Sequence, residues 1–341
     1  LKRSQFGSIG LFRRGSLSGH RAPFSGAMGA SSSWRRRRRM SNFDVTSTES
    51  QDAISRMRFP MYVVPPGDFM CMREALPHQD LRASGSVVEF HLDAAVLFVS
   101  HQWVSARHPD PDFKQLGVLQ ALFRRAKRGT LRAELDFFTR LNFGSRTRAQ
   151  RSDVRVFGDC AVWYDYFSVP QPGAAGVSDA QRAALQADMT SAVLSIPDYV
   201  DVATLFLVLA PDIDRGDVPF GLMGYRSWKG RGWCRMERMA HVLSQGSKCM
   251  LLATSAERVV HLGPYAWLLD PVGGAAFTAE GDKELLREAL EASIDRKLGR
   301  LLRTGRLDVY RHLKARRALL LQGLPAAGGP NLTASGHARA P

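Results

Sequence analysis

Four short apolar runs along the chain predict buried β-strands, because each run is apolar at nearly every position and too short for a helix. The runs are 94–100, 160–164, 204–209 and 249–253. Around them, apolar residues recur every three to four positions, which predicts helices. These helices are 113–128, 131–143, 180–196, 233–244 and 282–302. Strands that alternate with helices predict an α/β fold, a doubly wound parallel sheet of flavodoxin-like type with helices on both faces.

The same pattern divides the chain into five segments. Residues 1–55 lack apolar periodicity and are expected to form a disordered basic arm. Residues 56–86 contain four prolines and predict an irregular lead-in that packs on the domain. The α/β domain spans 87–302. A basic helix is expected at 303–323, followed by a disordered Gly/Pro/Ala-rich tail at 324–341.

The formal net charge of +15 belongs to the ends of the chain. Residues 1–43 carry ten Lys/Arg and no acid, and residues 295–317 carry nine Lys/Arg against two acids. Residues 44–294 carry 27 Lys/Arg and 30 Asp/Glu, so the domain itself is slightly acidic. Modules that read nucleic acid carry their charge on the fold, so we expect only nonspecific tail contacts with nucleic acid.

The cysteines and the N-terminal composition bear on the compartment. Cys71, Cys160, Cys234 and Cys249 lie far apart without zinc-ligand spacing, which fits a reducing compartment and predicts no metal site. No apolar run reaches the roughly 18–20 residues that a membrane span needs. We therefore expect a cytoplasmic protein, or an organellar one if residues 1–43 are a transit peptide. The arginine run within that segment also fits a nuclear address, and the whole segment also fits an untargeted arm.

Three motifs place polar side chains where strands end or where a helix begins. VSHQW at 99–103 ends the first strand, WYDYFSVPQ at 163–171 follows the second, and RGWCRMERM at 231–239 opens a helix. The carboxyl ends of parallel strands and the N-termini of helices meet in one crevice, where ligands bind. The motifs therefore predict one site.

These motifs resemble those of the TIR domain superfamily, and within it the fungal heterokaryon-incompatibility (HET) branch. VSHQW is similar to the family's LSYxWG, and the motif at 163–171 is similar to WIDALCINQ, with its Trp, Asp and Gln in place. Residues 231–237 are similar to RxWxxQE, and Trp233 with Cys234 fits the WCLxEL motif of plant TIR domains. The resemblance covers residues 90–255.

The resemblance implies a role in signalling or defence, such as innate immunity or cell death. Several plant and animal TIR domains cleave NAD⁺ at the nicotinamide–ribose bond, and their catalytic Glu falls on Glu237. Others self-associate as scaffolds. NAD⁺ is then expected as a substrate, with no permanently bound cofactor, and a homo-oligomer is expected through the TIR-like domain. The alternative is a non-catalytic, self-associating interaction module.

Each candidate residue has a functional and a structural interpretation. Glu237 could stabilise an oxocarbenium-like transition state, or it could complement a helix dipole. Asp165 could bind ribose hydroxyls, or it could be a turn carboxylate. Trp103 and Trp233 could stack on a base, or they could belong to the core. The remaining candidates for nucleotide binding are Ser100, His101, Gln102, Phe167 and Arg235.

Arg235 could hold a pyrophosphate, or it could cap carbonyls and pair with Asp212, Asp214 and Asp217. The HPDPD segment at 108–112 could hold a metal, although its prolines favour a rigid turn.

The chain also departs from the family: Met236 stands where the HET motif has Gln, Arg238 where the plant motif has Leu, and the helix at 131–143 is an insertion. No GxGxxG or Walker A motif supports a standard nucleotide site.

Overall fold

A computed structural model describes residues 47–105, 108–143, 154–173, 178–214, 222–244, 250–263, 270–277, 279 and 281–326. Residues 1–46 of the arm predicted at 1–55 and residues 327–341 of the tail predicted at 324–341 lie outside the described residues, as do Asp217 and Cys249. The described strands are β1 (Tyr62–Val63), β2 (Val88–Glu89), β3 (Val96–His101), β4 (Glu134–Leu135), β5 (Ala161–Trp163), β6 (Leu205–Leu209), β7 (Ile213–Asp214), β8 (Leu222–Met223), β9 (Met250–Ala253) and β10 (Val259–His261).

The described helices lie before, between and after these strands. They are α1 (Ser47–Arg56), α2 (Pro66–Cys71), α3 (His78–Ala83), α4 (Lys114–Lys127), α5 (Phe137–Phe143), α6 (Asp165–Ser168), α7 (Asp179–Leu194), α8 (Ile196–Val202), α9 (Tyr225–Gly230), α10 (Gly232–Leu243), α11 (Asp282–Arg303), α12 (Leu307–Ala315) and α13 (Arg317–Leu320). Short 3₁₀ turns occupy Phe157–Asp159 and Val272–Gly274.

A six-stranded sheet in the order β4-β10-β9-β6-β3-β5 lies at the centre. Strands β9, β6, β3 and β5 are parallel, so the predicted α/β fold on a mostly parallel sheet is confirmed. Numbered along the chain, these four strands lie in the spatial order 2-1-3-4. The prediction of a wholly parallel sheet is wrong at one edge, because β10 is antiparallel to β9 and β4 pairs with β10. Only residues 254–258 join β9 to β10, and a crossover needs a longer connection.

The core is continuous across the sheet. Every residue of β3, β5 and β6 is buried, so both faces of these strands are covered. On one face, the ring of Phe98 stacks on Trp163 and Phe206, with centroids 4.1 and 5.3 Å apart. This row of rings continues to Tyr199 of α8 and His241 of α10. A second apolar cluster joins α10 to α11, so α10 lies between the sheet and α11.

Two segments differ from their predicted structure, because contacts with residues distant in sequence decide the structure that they adopt. The arm predicted as disordered over 1–55 is helical from Ser47, since Ala53 is fully buried and Arg56 Nε donates to Asp198 at 2.8 Å. The helix predicted at 131–143 is also wrong over its first half, where β4 pairs with β10. Its second half, α5, begins after Asp136, whose side chain accepts from the Thr139 N–H.

Two further boundaries follow from capping. Ser178, and not Asp179, is the N-cap of α7, in a capping box with Gln181. The basic helix predicted at 303–323 is wrong as one continuous element, because α12 ends at Ala315 and α13 begins at Arg317. Gly305, at φ 70°, separates α12 from α11. Residues 56–86 contain β1, α2 and α3 and bury Val63 in the main core.

Candidate functional site

A buried hydrogen-bond chain lies at the carboxyl end of β3. Ser100 Oγ donates to Glu237 Oε2 at 2.5 Å, and Trp228 Nε1 donates to Ser100 Oγ at 3.2 Å. Ser100 and Trp228 are fully buried, and Glu237 is 8% exposed. Because α10 packs against β3 here, the carboxyl group of Glu237 points at the end of the strand. We call Ser100, Asp165, Trp228 and Glu237 the Glu237 site.

The carboxyl group of Glu237 is mostly protonated at neutral pH. Burial raises the pKa of Glu237 to about 8, against the hydrogen bond from Ser100, which lowers it. The negative charge of Asp165 raises the pKa of Glu237 further.

Asp165 is held in the opposite protonation state. Its carboxylate accepts from His101 Nε2 at 2.7 Å, from Trp103 Nε1 at 2.7 Å and from the Tyr166 N–H at 2.5 Å. Burial acts to raise the pKa of Asp165, but His101 and these hydrogen bonds outweigh it, so the pKa lies below its ordinary value. The Glu237 site therefore contains one carboxyl group with a raised pKa and one with a lowered pKa, which contact successive residues of β3.

The local structure explains why these groups meet. Successive residues of a strand point to opposite faces, so Ser100 reaches Glu237 while His101 reaches Asp165. Helix α6 begins directly after β5, which places Asp165 beside the end of β3. The His101 ring stacks on the ring of Tyr164, with their centroids 3.7 Å apart. The centroid of the Tyr164 ring lies 4.8 Å from that of the fully buried Phe167. Phe167 is thus a core residue that packs against Tyr164.

Gln102 and Trp103 connect the end of β3 to its surroundings. Gln102 Nε2 donates to the Gly224 carbonyl at 3.1 Å and to Ser227 Oγ at 3.0 Å, which fixes the start of α9. Trp103 is partly exposed and lies edge-on to Tyr166 at 5.6 Å. Of the predicted aromatic candidates, Trp103 thus places an accessible ring beside the carboxylate of Asp165.

Trp233 and Arg235 lie on α10 but point to other parts of the fold. Trp233 Nε1 donates to Asp282 at the start of α11, at 3.0 Å. Arg235 donates to the carbonyls of Lys229 at 2.6 Å and Pro271 at 2.8 Å. The predicted capping of carbonyls by Arg235 is confirmed, whereas the carboxylate that it pairs with among the described residues is Asp270, at 3.9 Å, and not Asp212 or Asp214.

A buried ion pair beside the site was missed from the sequence. Arg238, 1% exposed, pairs with Asp270 at 3.3 Å, and its guanidinium lies 5.9 Å from the centroid of the Trp228 ring. Burial lowers the pKa of Arg238, and Asp270 acts against this. The signal in the sequence was the Arg in place of the family's Leu. Trp228 carried no such signal, because an isolated Trp in a loop does not reveal its burial.

The HPDPD segment forms the turn that its prolines favour. Asp110 accepts from the N–H groups of Lys114 and Leu116, both at 2.8 Å, and so caps α4. The His108 ring contacts the Ala75 carbonyl at 3.1 Å. Within the part of the chain that the structure describes, no group of three or more His, Cys, Asp or Glu side chains could hold a metal ion. None of the helices in that part combines the length and apolar character that crossing a membrane requires.

No family model, curated protein or solved structure matches this chain. The resemblance to TIR and HET domains therefore remains a prediction carried by the three motifs.

Proposed function

We propose that this chain is a TIR/HET-like signalling domain that cleaves NAD⁺ at the nicotinamide–ribose bond, with Glu237 as the key carboxyl group. The observation that carries this proposal is the buried hydrogen bond that Ser100 Oγ donates to Glu237, whose pKa burial and the charge of Asp165 raise. Burying a carboxyl group destabilises a fold, and carboxyl groups with strongly raised pKa values cluster at functional sites.

The strand order supports a flavodoxin-like, TIR-like fold for this domain. In sheets of the order 2-1-3-4, ligands bind beyond the carboxyl ends of the strands, at the switch point between the first and third strands. These strands are β3 and β6, which are direct neighbours in the sheet. Ser100 and His101 end β3, so the Glu237 site lies where such a fold binds its ligand.

The chemistry requires few groups. When the glycosidic C–N bond breaks, its electron pair leaves with nicotinamide, which becomes neutral, and positive charge develops on the ribose. Ionised Glu237 would stabilise that charge, and water would then attack the ribose carbon and lose a proton. Asp165 is suited to accept hydrogen bonds from ribose hydroxyls, and Trp103 offers an aromatic face for a ring of the substrate. NAD⁺ enters as a substrate and not as a resident cofactor.

The test is nicotinamide release by the full chain at high protein concentration, with Glu237→Gln measured beside it. We expect the substitution to lower kcat by about 10²–10³-fold while the protein stays folded, because it removes charge stabilisation in the transition state. The matched control is Glu288→Gln, which removes an exposed carboxylate of α11 that pairs with Arg58. No release by a folded parent, or full activity in Glu237→Gln, would refute the proposal.

The pH profile separates the two roles that Glu237 could have. If its ionised form stabilises the transition state, kcat/KM rises with pH and levels off above about 8. A kcat/KM that instead falls through this range would make Glu237 a general acid.

A second candidate function is a non-catalytic, self-associating interaction module. Phe137 and Leu141 lie one turn apart on α5 and are 70% and 68% exposed, so they form an apolar pair on the surface. The double substitution to Ser should weaken self-association in sedimentation, whereas Leu302→Ser, at a separate exposed leucine, should not. Self-association without nicotinamide release would favour this function.

A further inference from the structure

A cavity of about 410 Å³ lies between α1, α8, α10 and α11. Its α11 wall carries Arg296, Lys297, Arg300 and Arg303, all from the basic run at 295–317. These positions recur every three to four residues, so they share one side of the helix. None of the residues of the Glu237 site lines this space, which we call the α11 cavity.

Most of the acidic groups in the wall of the α11 cavity are already paired. Three of the four carboxylates form ion pairs with arginines: Asp201 with Arg56 at 3.5 Å, Glu49 with Arg300 at 3.4 Å, and Asp295 with Arg317. The fourth carboxylate, that of Asp52, is exposed. The acidic residues therefore leave little negative charge to neutralise the remaining cations.

Three cations of the wall have no carboxylate partner among the residues described. Arg296 Nη2 donates to Ser293 Oγ at 3.1 Å, and Lys297 Nζ donates to the Ser244 carbonyl at 2.7 Å. Arg303 is exposed, and no ion pair or hydrogen bond of its side chain is formed within the described segments. Three positive groups thus face one unpaired acid.

The electrostatics of Lys297 show the same excess of positive charge. Burial lowers the pKa of Lys297, and the positive charges of Arg300 and Arg306 lower it further, against the single opposing influence of Asp201. An anion in the α11 cavity would offset this repulsion. The cavity is also within the range of about 300–1,000 Å³ that small-molecule sites occupy.

We propose that the α11 cavity binds a phosphorylated small molecule, with its phosphate held by Arg296, Lys297 and Arg303. Guanidinium groups bind phosphate oxygens through paired hydrogen bonds, and lysine adds a point charge. The buried hydroxyls of Ser244 and Ser293 also line the cavity and could contact the rest of the ligand. This site does not depend on the cleavage of NAD⁺ at the Glu237 site.

The first experiment is calorimetric titration of the full chain with inorganic pyrophosphate at constant ionic strength. We expect saturable binding that the double substitution Arg296→Gln with Arg303→Gln weakens at least tenfold. Neither arginine forms an ion pair with another described residue, so this variant should fold, and its circular dichroism and Tm check that it does. The control removes the same charge from α12, through Arg311→Gln with Lys314→Gln, and should change the affinity less than twofold. Absence of saturable binding, or an equal loss in both variants, would overturn the proposal.

A second measurement reports on Lys297 directly. Pyrophosphate should slow its acetylation by acetic anhydride several-fold, as measured by mass spectrometry, while Lys314 on α12 reacts at an unchanged rate. Equal protection of both lysines, or of neither, would contradict a site at Lys297.

The phosphate could belong to a soluble molecule or to a lipid headgroup. Cosedimentation with vesicles of phosphatidylcholine and phosphatidic acid that only the cavity variant loses would identify the lipid. No cosedimentation, with pyrophosphate binding intact, would identify a soluble ligand. Cosedimentation lost equally in both double variants would overturn the cavity as the phosphate site.

Discussion

Charged side chains have different surroundings in two regions along α10. Around Glu237, the ionisable groups are buried or partly buried, and each is protonated or held by a close partner, as Arg238 is held by Asp270 at 3.3 Å. Seven residues later, at Ser244, the end of the helix borders the α11 cavity, where Arg296, Lys297 and Arg303 are partly or fully exposed and lack carboxylate partners in the described chain. The two regions lie only about 10 Å apart along the helix axis.

The difference follows from desolvation. A charge removed from water must be neutralised or paired, so the Glu237 site is closely tied to the stability of the fold. A charge that remains in contact with water needs no partner and is available for a ligand. Substitutions near Glu237 should therefore change the free energy of unfolding, whereas substitutions in the α11 cavity should change binding.

The largest effect is expected for Asp270→Asn, which leaves the buried guanidinium of Arg238 without its counter-charge. We expect a loss of about 3–5 kcal/mol in the free energy of unfolding, measured in urea. The control is Glu288→Gln, which breaks the exposed pair with Arg58 and should cost about 1 kcal/mol or less. Similar losses in the two variants would remove the distinction between buried and exposed charge.

Glu237→Gln should stabilise the protein, and the gain should depend on pH. The carboxyl group of the unfolded chain ionises above about pH 4.3, whereas the native one stays protonated up to about 8. Stability that depends on the protonated form is thus complete below pH 4.3 and is lost as the pH rises towards 8. The neutral amide escapes this loss, so urea unfolding should show a gain on the order of 3 kcal/mol at pH 7 and none at pH 4. An equal difference at both pH values would contradict the raised pKa.

Trp103→Phe should have a smaller effect, because it removes one hydrogen bond to a carboxylate that is partly exposed. We expect a loss of about 1 kcal/mol at pH 7 and a rise in the pKa of Asp165 towards its ordinary value. Stability that depends on the lowered pKa is present above the unfolded pKa and is lost as the pH falls through the native one. Carboxyl NMR titration measures the shift, and an unchanged pKa would show that Trp103 does not hold Asp165.

The smallest effect on stability is expected for Arg303→Gln in the α11 cavity. Because this side chain is exposed and unpaired within the described residues, the free energy of unfolding should change by less than about 0.5 kcal/mol. Pyrophosphate binding should nevertheless weaken. A marked loss of stability would place Arg303 among the groups that hold the fold.

Sequence reasoning reached the features that local patterns encode. Continuous apolar runs revealed β3 and β6, and polar residues at strand ends pointed to Ser100 and Asp165. It missed β10 and the α11 cavity, since these depend on pairs of segments distant along the chain, such as Glu49 with Arg300. The burial of Arg238 was also missed, because an arginine on a helix is ordinarily solvated and its partner Asp270 lies in another segment.

Helix α1 sets a limit for truncation. A fragment that starts at residue 57 would lose Ala53 from the core, the pairing of Arg56 with Asp198, and one wall of the α11 cavity. The ordered unit therefore begins no later than Ser47, within the arm that the sequence pattern predicts as disordered over 1–55. Limited proteolysis should spare the bonds within 47–56, and any shortened form intended for crystallisation or labelling should keep them.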